Sequence, residues 1–229
     1  MRREDYLKPV TSEFIGNSDI KTSKPQKIHF ETFKTGTTTV GITCKNAIIL
    51  GTDKRATMSY FVASKTAEKL HKIQNHLWMT IAGGVADALY LVDILRAETA
   101  LFQLAHSGKP IKINSAGKIL SNILYQNKMF PFQVGLMLGG VTEEEGPVLL
   151  NISAYGSILP SKICAIGSGG SYSYGVLEAK YKENLTIDKG SEIVKKAITS
   201  SIIRDMYSGN GIDIVVIKKE SFEREFISI

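Results

Sequence analysis

Gly36-Thr37-Thr38-Thr39-Val40-Gly41-Ile42-Thr43-Cys44, then Lys45-Asn46, then Ala47-Ile48-Ile49-Leu50 is the stretch on which the reading of this chain turns. Thr37, Thr39, Gly41 and Thr43 alternate with Thr38, Val40, Ile42 and Cys44, the period of two that places successive side chains on opposite faces of a strand. Lys45-Asn46 supplies a turn and the apolar run after it supplies a partner, so the stretch predicts an antiparallel hairpin. Composition changes at its first joint. Residues 16–28 are turn-rich and poor in apolar side chains, a segment that buries too little surface to offset its ordering entropy. The expected organisation is an extension over 1–36 and a folded domain over 37–229.

The same joint carries a chemical possibility. A cut after Gly36 would make Thr37 a new amino terminus, with a hydroxyl nucleophile and an amine on one residue. A hydroxyl is weak at its free pKa, and an adjacent amine can take its proton. A free α-amine has a reference pKa of about 7.7 to 8.0, so a useful fraction is unprotonated near neutrality. By itself the run Gly-Thr-Thr-Thr is a weak signal and reads more readily as an ordinary start to a β-strand.

Outward from the hairpin, Tyr60 to Ala63 and Leu77 to Ala82 are strand candidates. Ala88, Leu91, Val92, Leu95, Thr99 and Phe102 then repeat on one helical face until Gly108-Lys109-Pro110, and Ile119, Leu120, Ile123 and Leu124 mark a second helix. Strands return at Phe132 to Leu138, Pro147 to Ile152 and Ile163 to Ile166, the first two joined around Glu143-Glu144-Glu145-Gly146. A helix over Tyr172 to Glu183 follows. Then come a longer one carrying Ile193, Val194, Ala197, Ile198, Ser201 and Ile202, and a strand at Gly211 to Lys218. Strands, helix pair, strands, helix pair, strand predicts an α+β fold. Its expected form is a four-layer αββα sandwich, two antiparallel sheets stacked face to face and flanked by helix pairs.

Composition narrows the function classes. The chain has 229 residues, 43% hydrophobic, enough for a substantial core. Its net charge of +6 and pI near 9.1 invite a nucleic-acid reading, but the basic residues are scattered and not interleaved with stacking aromatics. Cys44 and Cys164 lie in strand-like apolar runs without metal or disulfide spacing, so buried free thiols in a reducing cytoplasm are expected. No run approaches the roughly 18 apolar residues of a membrane span, and no signal-peptide core precedes residue 36. His29, His71, His76 and His106 lack ligand spacing, which predicts no metal; His71 and His76 read as surface residues near a lysine-bearing turn.

From Thr37 onward the chain resembles the β-subunits of the proteasome, most closely the archaeal type, within the N-terminal-nucleophile hydrolases. The resemblance spans about residues 36 to 218. It rests on an ordered series: Thr37-Thr38-Thr39-Val40-Gly41, Gly51-Thr52-Asp53-Lys54-Arg55-Ala56-Thr57, Ser64-Lys65-Thr66-Ala67-Glu68-Lys69, Met79-Thr80-Ile81-Ala82-Gly83-Gly84, Gly167-Ser168-Gly169 and Arg204-Asp205-Met206-Tyr207-Ser208-Gly209. The chain departs from the archaeal pattern at Gly169-Gly170-Ser171, where a second serine usually follows directly. It departs also in the length of the extension before Thr37, which is closer to that of eukaryotic relatives.

What the resemblance implies is specific. Thr37 takes the place of the catalytic threonine, and Gly36 with Thr37 the processing site. Lys69 takes that of a lysine whose charge lowers the pKa of its neighbours, and Asp53 that of its partner carboxylate. Ser168, Asp205 and Ser208 match groups that orient the amine and relay protons, and Gly83 the glycine facing the oxyanion. Thr57 and Gly83 match edges that bind extended substrate by main-chain hydrogen bonds. Ala56, Ala67, Ile81 and Val85 fall at the lining of the first side-chain pocket, implying cleavage after large apolar residues. Each has a plainer local reading: a solvated lysine, a turn aspartate, a helix cap at Asp205 and Ser208, a tight turn at Gly83. The implied function is a threonine endopeptidase of the proteasome core, self-processed after Gly36 and degrading unfolded polypeptides inside a chamber. No cofactor is implied. The implied partners are β- and α-subunits in a stacked four-ring particle and an ATP-dependent unfoldase. A catalytically silent ring subunit that keeps its propeptide is the alternative, and another N-terminal-nucleophile peptidase or amidase a third reading.

Overall fold

The computed structural model describes residues 36–229; the extension read over 1–36 lies, but for Gly36, outside the described residues. The predicted hairpin forms from β1 (Thr39–Thr43) and β2 (Ile48–Asp53), closed by the Cys44 N–H donating to the Ala47 carbonyl at 2.9 Å. Both strands are buried on both faces. A β-carbon on Gly41 would meet Met137 Sδ at 2.4 Å, and one on Gly51 would meet Val194 Cγ1 at 2.5 Å, so these glycines let the facing sheet and a covering helix approach the hairpin closely.

The remaining elements are β3 (Ala56–Met58), β4 (Phe61–Ser64), β5 (Leu70–Gln74), β6 (Leu77–Gly83), α1 (Val85–Ala105), α2 (Ile113–Gln126), β7 (Val134–Thr142), β8 (Gly146–Ile152), β9 (Ile158–Pro160), β10 (Ile163–Ile166), α3 (Gly170–Lys180), α4 (Ile187–Arg204), β11 (Ile212–Ile217) and β12 (Phe222–Ile227). One antiparallel sheet runs β10-β1-β2-β11-β12 and the other β5-β6-β7-β8-β9, with β3-β4 as a separate hairpin. Ile48, Leu50, Trp78, Met137, Leu149 and Val215 fill the space between the sheets. Leu91, Leu95 and Leu120 pack α1 and α2 onto one outer face, and Val194, Ala197 and Ile198 pack α4 onto the other. This is the expected four-layer sandwich.

Differences from the expectation are local. The helix read as Tyr172 to Glu183 runs instead from Gly170 to Lys180. The strand read as Phe132 to Leu138 begins at Val134 and continues through Gly139 and Gly140, where a β-carbon would strike Ile48 Cγ2 at 2.8 Å and the His76 carbonyl at 2.6 Å. His71 and His76, read as surface residues, are each 5% exposed. His71 lies on β5, and His76 Nε2 reaches the Ile111 carbonyl at 2.9 Å. Cys44 and Cys164 are free and buried; burial pushes the Cys44 thiol up to about 11 and raises that of Cys164, so neither is a thiolate near neutrality.

Candidate active site

Five segments bring the catalytic candidates together: the residues before β1, the end of β2, the residue before β5, the loop after β10 and the loop after α4. Asp53 ends β2 and is fully buried, with every side of its carboxylate supplied. Oδ1 accepts from Lys69 Nζ at 2.7 Å and from the Thr38 N–H at 2.9 Å; Oδ2 accepts from the Arg55 and Gly209 N–H groups, each at 3.0 Å. Lys69 reaches it because the Ile81 N–H donates to the Lys69 carbonyl at 3.0 Å, tying the residue before β5 to β6. Burial pushes the Lys69 ammonium below the usual lysine range, while the charges of Asp53 and Asp205 pull it back.

A second cluster flanks Thr37. Asp205 caps the C-terminus of α4, its N–H donating to the Ser201 carbonyl at 2.7 Å. Its Oδ2 accepts from both Ser168 Oγ and Ser208 Oγ at 2.6 Å. Ser168 Oγ in turn accepts the Thr37 N–H at 3.2 Å, and Ser208 Oγ is 2.7 Å from Thr38 Oγ1. Because Ser208 donates to Asp205, the Thr38 hydroxyl donates to Ser208. Gly167 permits this arrangement: its φ is +97° and a β-carbon there would lie 2.0 Å from the Thr37 carbonyl oxygen. Thr37 Oγ1 points back along the chain and donates to the Gly36 carbonyl at 2.7 Å.

Thr37 opens onto a cleft of about 440 Å³ that also exposes Gly36, Ala56, Thr57, Ala67, Lys69, Ile81, Gly83 and Val85. Gly83 has φ +108° and approaches the Gln133 carbonyl so closely that a β-carbon would sit 2.2 Å from it. Asp53, Ser168, Asp205 and Ser208 lie behind this lining, connected to Thr37 and Thr38 by the bonds above. Sequence reasoning assigned no role to several side chains found here. Arg55 clamps the 205–210 loop through Nε to Asn210 Oδ1 at 2.8 Å and a terminal nitrogen to the Met206 carbonyl at 2.9 Å. Thr38 links the two carboxylates, and Glu68 and His71 contribute polar walls to the cleft. Among the described residues no group of three or more His, Cys, Asp or Glu side chains could hold a metal ion, and no helix is long and apolar enough to cross a membrane.

Two antiparallel sheets stacked face to face, each covered by a helix pair, with a threonine beside a buried lysine and carboxylate, define the architecture of the N-terminal-nucleophile hydrolases. Comparison with known proteins narrows the class. The family model described as "Proteasome subunit" matches residues 33–217. The chain is similar to the proteasome subunit beta of Methanocaldococcus vulcanius, with 44% identity over 186 residues, 81% of this chain and 83% of that protein. It is 42% identical over 185 residues to the proteasome subunit beta of Methanothermobacter thermautotrophicus, covering 81% and 87% of the two chains. To the proteasome subunit beta 2 of Nitrosopumilus maritimus it is 40% identical over 187 residues, covering 82% and 88%. The chain belongs to the proteasome subunit family, whose members assemble with other proteasome subunits. The edge strand β12 lies beyond the matched region.

Proposed function

We propose that this chain is a threonine endopeptidase subunit of the proteasome core, made as a precursor that cleaves itself between Gly36 and Thr37. The observation that carries the reading is the 2.7 Å approach of Thr37 Oγ1 to the carbonyl of the residue before it. That hydrogen bond is to the carbonyl oxygen, and it keeps the hydroxyl beside the peptide bond whose carbon it would attack; holding reacting groups near one another supplies much of a barrier reduction. In the processing step a bond forms from Thr37 Oγ to the Gly36 carbonyl carbon and the Gly36–Thr37 amide bond breaks. The hydroxyl proton ends on the released amine. Water then hydrolyses the resulting ester, freeing the leader as a carboxylate and leaving Thr37 with both nucleophile and base.

Substrate cleavage repeats the chemistry in trans. The new amine takes the Thr37 hydroxyl proton as Oγ attacks the scissile carbonyl, gives a proton to the leaving amine, and later activates the water that clears the acyl ester. Ser168, Asp205 and Ser208 hold that amine by acceptors arranged around it. Lys69, kept in place by Asp53, favours the deprotonated forms of its neighbours through its charge. The backbone of Gly83 faces the developing oxyanion, and the strand edges at Thr57 and Gly83 bind extended polypeptide through main-chain bonds. Ala56, Ala67, Ile81 and Val85 give the first pocket an apolar surface, and the Glu68 carboxylate beside them is engaged by Arg224 at 2.9 Å. Preferred cleavage is therefore after large apolar residues.

In this reading the precursor alone is inactive, and partners are α- and β-type subunits, unfolded polypeptides and a separate ATP-dependent unfoldase in the cytoplasm. The test is peptide turnover by the particle assembled with α-type subunits. Wild type turns over an apolar peptide and Thr37→Ala does not; equal turnover by the two would remove Thr37 from the mechanism.

A further inference from the structure

Gly36 is wedged against Tyr207. A β-carbon on Gly36 would lie 1.7 Å from Tyr207 Cβ and 2.4 Å from its Cγ. Tyr207 Cβ is fixed to the main chain, so no change of rotamer relieves that contact. Three further contacts hold the backbone on either side of the Gly36 α-carbon. The Gly36 N–H donates to Thr57 Oγ1 at 3.2 Å, the Gly36 carbonyl accepts from Thr37 Oγ1, and the Thr37 N–H donates to Ser168. The wall itself is anchored: the Tyr207 N–H donates to Asp205 Oδ1 at 3.2 Å, and Arg55 holds the adjoining Met206 carbonyl.

We infer that Tyr207 is a positioning residue for self-processing, its β-carbon and ring forming the wall that seats Gly36 with its carbonyl against the Thr37 hydroxyl. The inference rests on the self-processing reading above and adds the surface that makes it geometrically specific. Thr57 fixes one end of the Gly36 unit by a hydrogen bond and Ser168 the other, and Ser168 Oγ would lie 3.0 Å from a β-carbon on Gly36. The closer stop against sideways movement is Tyr207, by contact. The wall is made of carbon, so Phe serves as well as Tyr. It also accounts for glycine at position 36, since any side chain there displaces the carbonyl from the nucleophile.

The experiment follows leader loss by intact mass as the full-length precursor assembles with α-type subunits. Wild type is compared with Tyr207→Phe, Tyr207→Ala, Tyr207→Gly, Gly36→Ala and the doubles Gly36→Ala/Tyr207→Ala and Gly36→Ala/Tyr207→Gly. Tyr207→Phe processes as wild type does. Gly36→Ala slows processing by about 100-fold, the order expected for ~1 Å of misplacement. Adding Tyr207→Gly recovers at least about tenfold of this, as for two groups in direct contact; adding Tyr207→Ala, which keeps the β-carbon, does not. Each Tyr207 variant is also made with Thr37 as first residue and assayed for peptide turnover. A purely structural role lowers processing and turnover together, whereas the wall lowers processing by about tenfold more. Tyr207→Ala reads the same split should the glycine variants fail to assemble. Parallel losses, or a Gly36→Ala/Tyr207→Gly double as slow as Gly36→Ala, overturn the inference. If wild type itself keeps its leader, the self-processing reading fails and the inference falls with it.

Discussion

The Lys69 ammonium and the Asp53 carboxylate meet at 2.7 Å with side chains 6% and 0% exposed, and the other acceptor positions of Asp53 are taken by the N–H groups of Thr38, Arg55 and Gly209. Removing the lysine strands a buried carboxylate that keeps three backbone donors and loses its counter-charge. Lys69→Ala should therefore destabilise the unassembled precursor by about 3 kcal/mol, near the lower end for breaking a buried pair, and abolish peptide turnover after assembly. Urea unfolding gives the first number. A midpoint equal to that of wild type would mean that the pair does not hold the base of the site.

Arg55 acts at a distance from the cleft. Its planar fork reaches Asn210 and the Met206 carbonyl together, fixing the loop that carries Asp205 and Ser208. A lysine cannot make both bonds in that geometry. Arg55→Lys should lower kcat by about tenfold to 100-fold with little change in KM, as expected for a small displacement of catalytic groups. Steady-state kinetics on a fluorogenic peptide decides this, and a change confined to KM would contradict the clamp.

Burial holds His71 and His76 below the ordinary histidine value of 6.5. The unfolded chain then binds more protons than the folded one once pH falls below about 6.5, so stability declines from there downward and levels off below the folded values. Urea midpoints of the precursor at about pH 7.5 and pH 5.5 should fall further for wild type than for a His71→Gln/His76→Gln variant. Equal falls would show that the two rings do not titrate differently on unfolding.

The lining of the first pocket sets a ranking of substrates. Burying an unpaired charge against Ala56, Ala67, Ile81 and Val85 costs several kcal/mol, whereas a leucine or phenylalanine gains from the same contact. Peptides presenting Leu or Phe before the scissile bond should show kcat/KM at least about tenfold above those presenting Arg or Glu. The reverse order would place Glu68 or His71, not the apolar wall, in control of specificity.

Local pattern made much of this fold readable. The alternation through Thr37 to Cys44 and the helical spacing of Leu91, Leu95 and Val194, Ile198 each mark side chains that the structure buries, and the turn at Lys45-Asn46 is exposed. Four strands escaped because their patterns do not announce burial. β12 (Phe222–Ile227) is an exposed edge rich in charge, β3 and β9 span only Ala56–Met58 and Ile158–Pro160, and β5 hides a lysine and histidine-bearing run that reads as surface. The positions named for Thr37, Asp53, Lys69, Ser168, Asp205 and Ser208 came from a resemblance, and the structure draws them into one bonded cluster. The roles of Arg55, Thr38 and Tyr207 were not legible, since each depends on a partner far along the chain: Arg55 on Met206, Thr38 on Ser208, Tyr207 on Gly36. Spacing in one sequence carries no sign of such contacts.

The most direct test of the account is the amino-terminal residue and intact mass of this subunit after assembly with α-type subunits, measured for wild type and for Thr37→Ala. The account predicts that wild type begins at Thr37 while the variant keeps its leader. A wild-type subunit that retains Gly36 in the finished particle would contradict it, leaving Thr37 without a free amine and the chain a silent member of its ring.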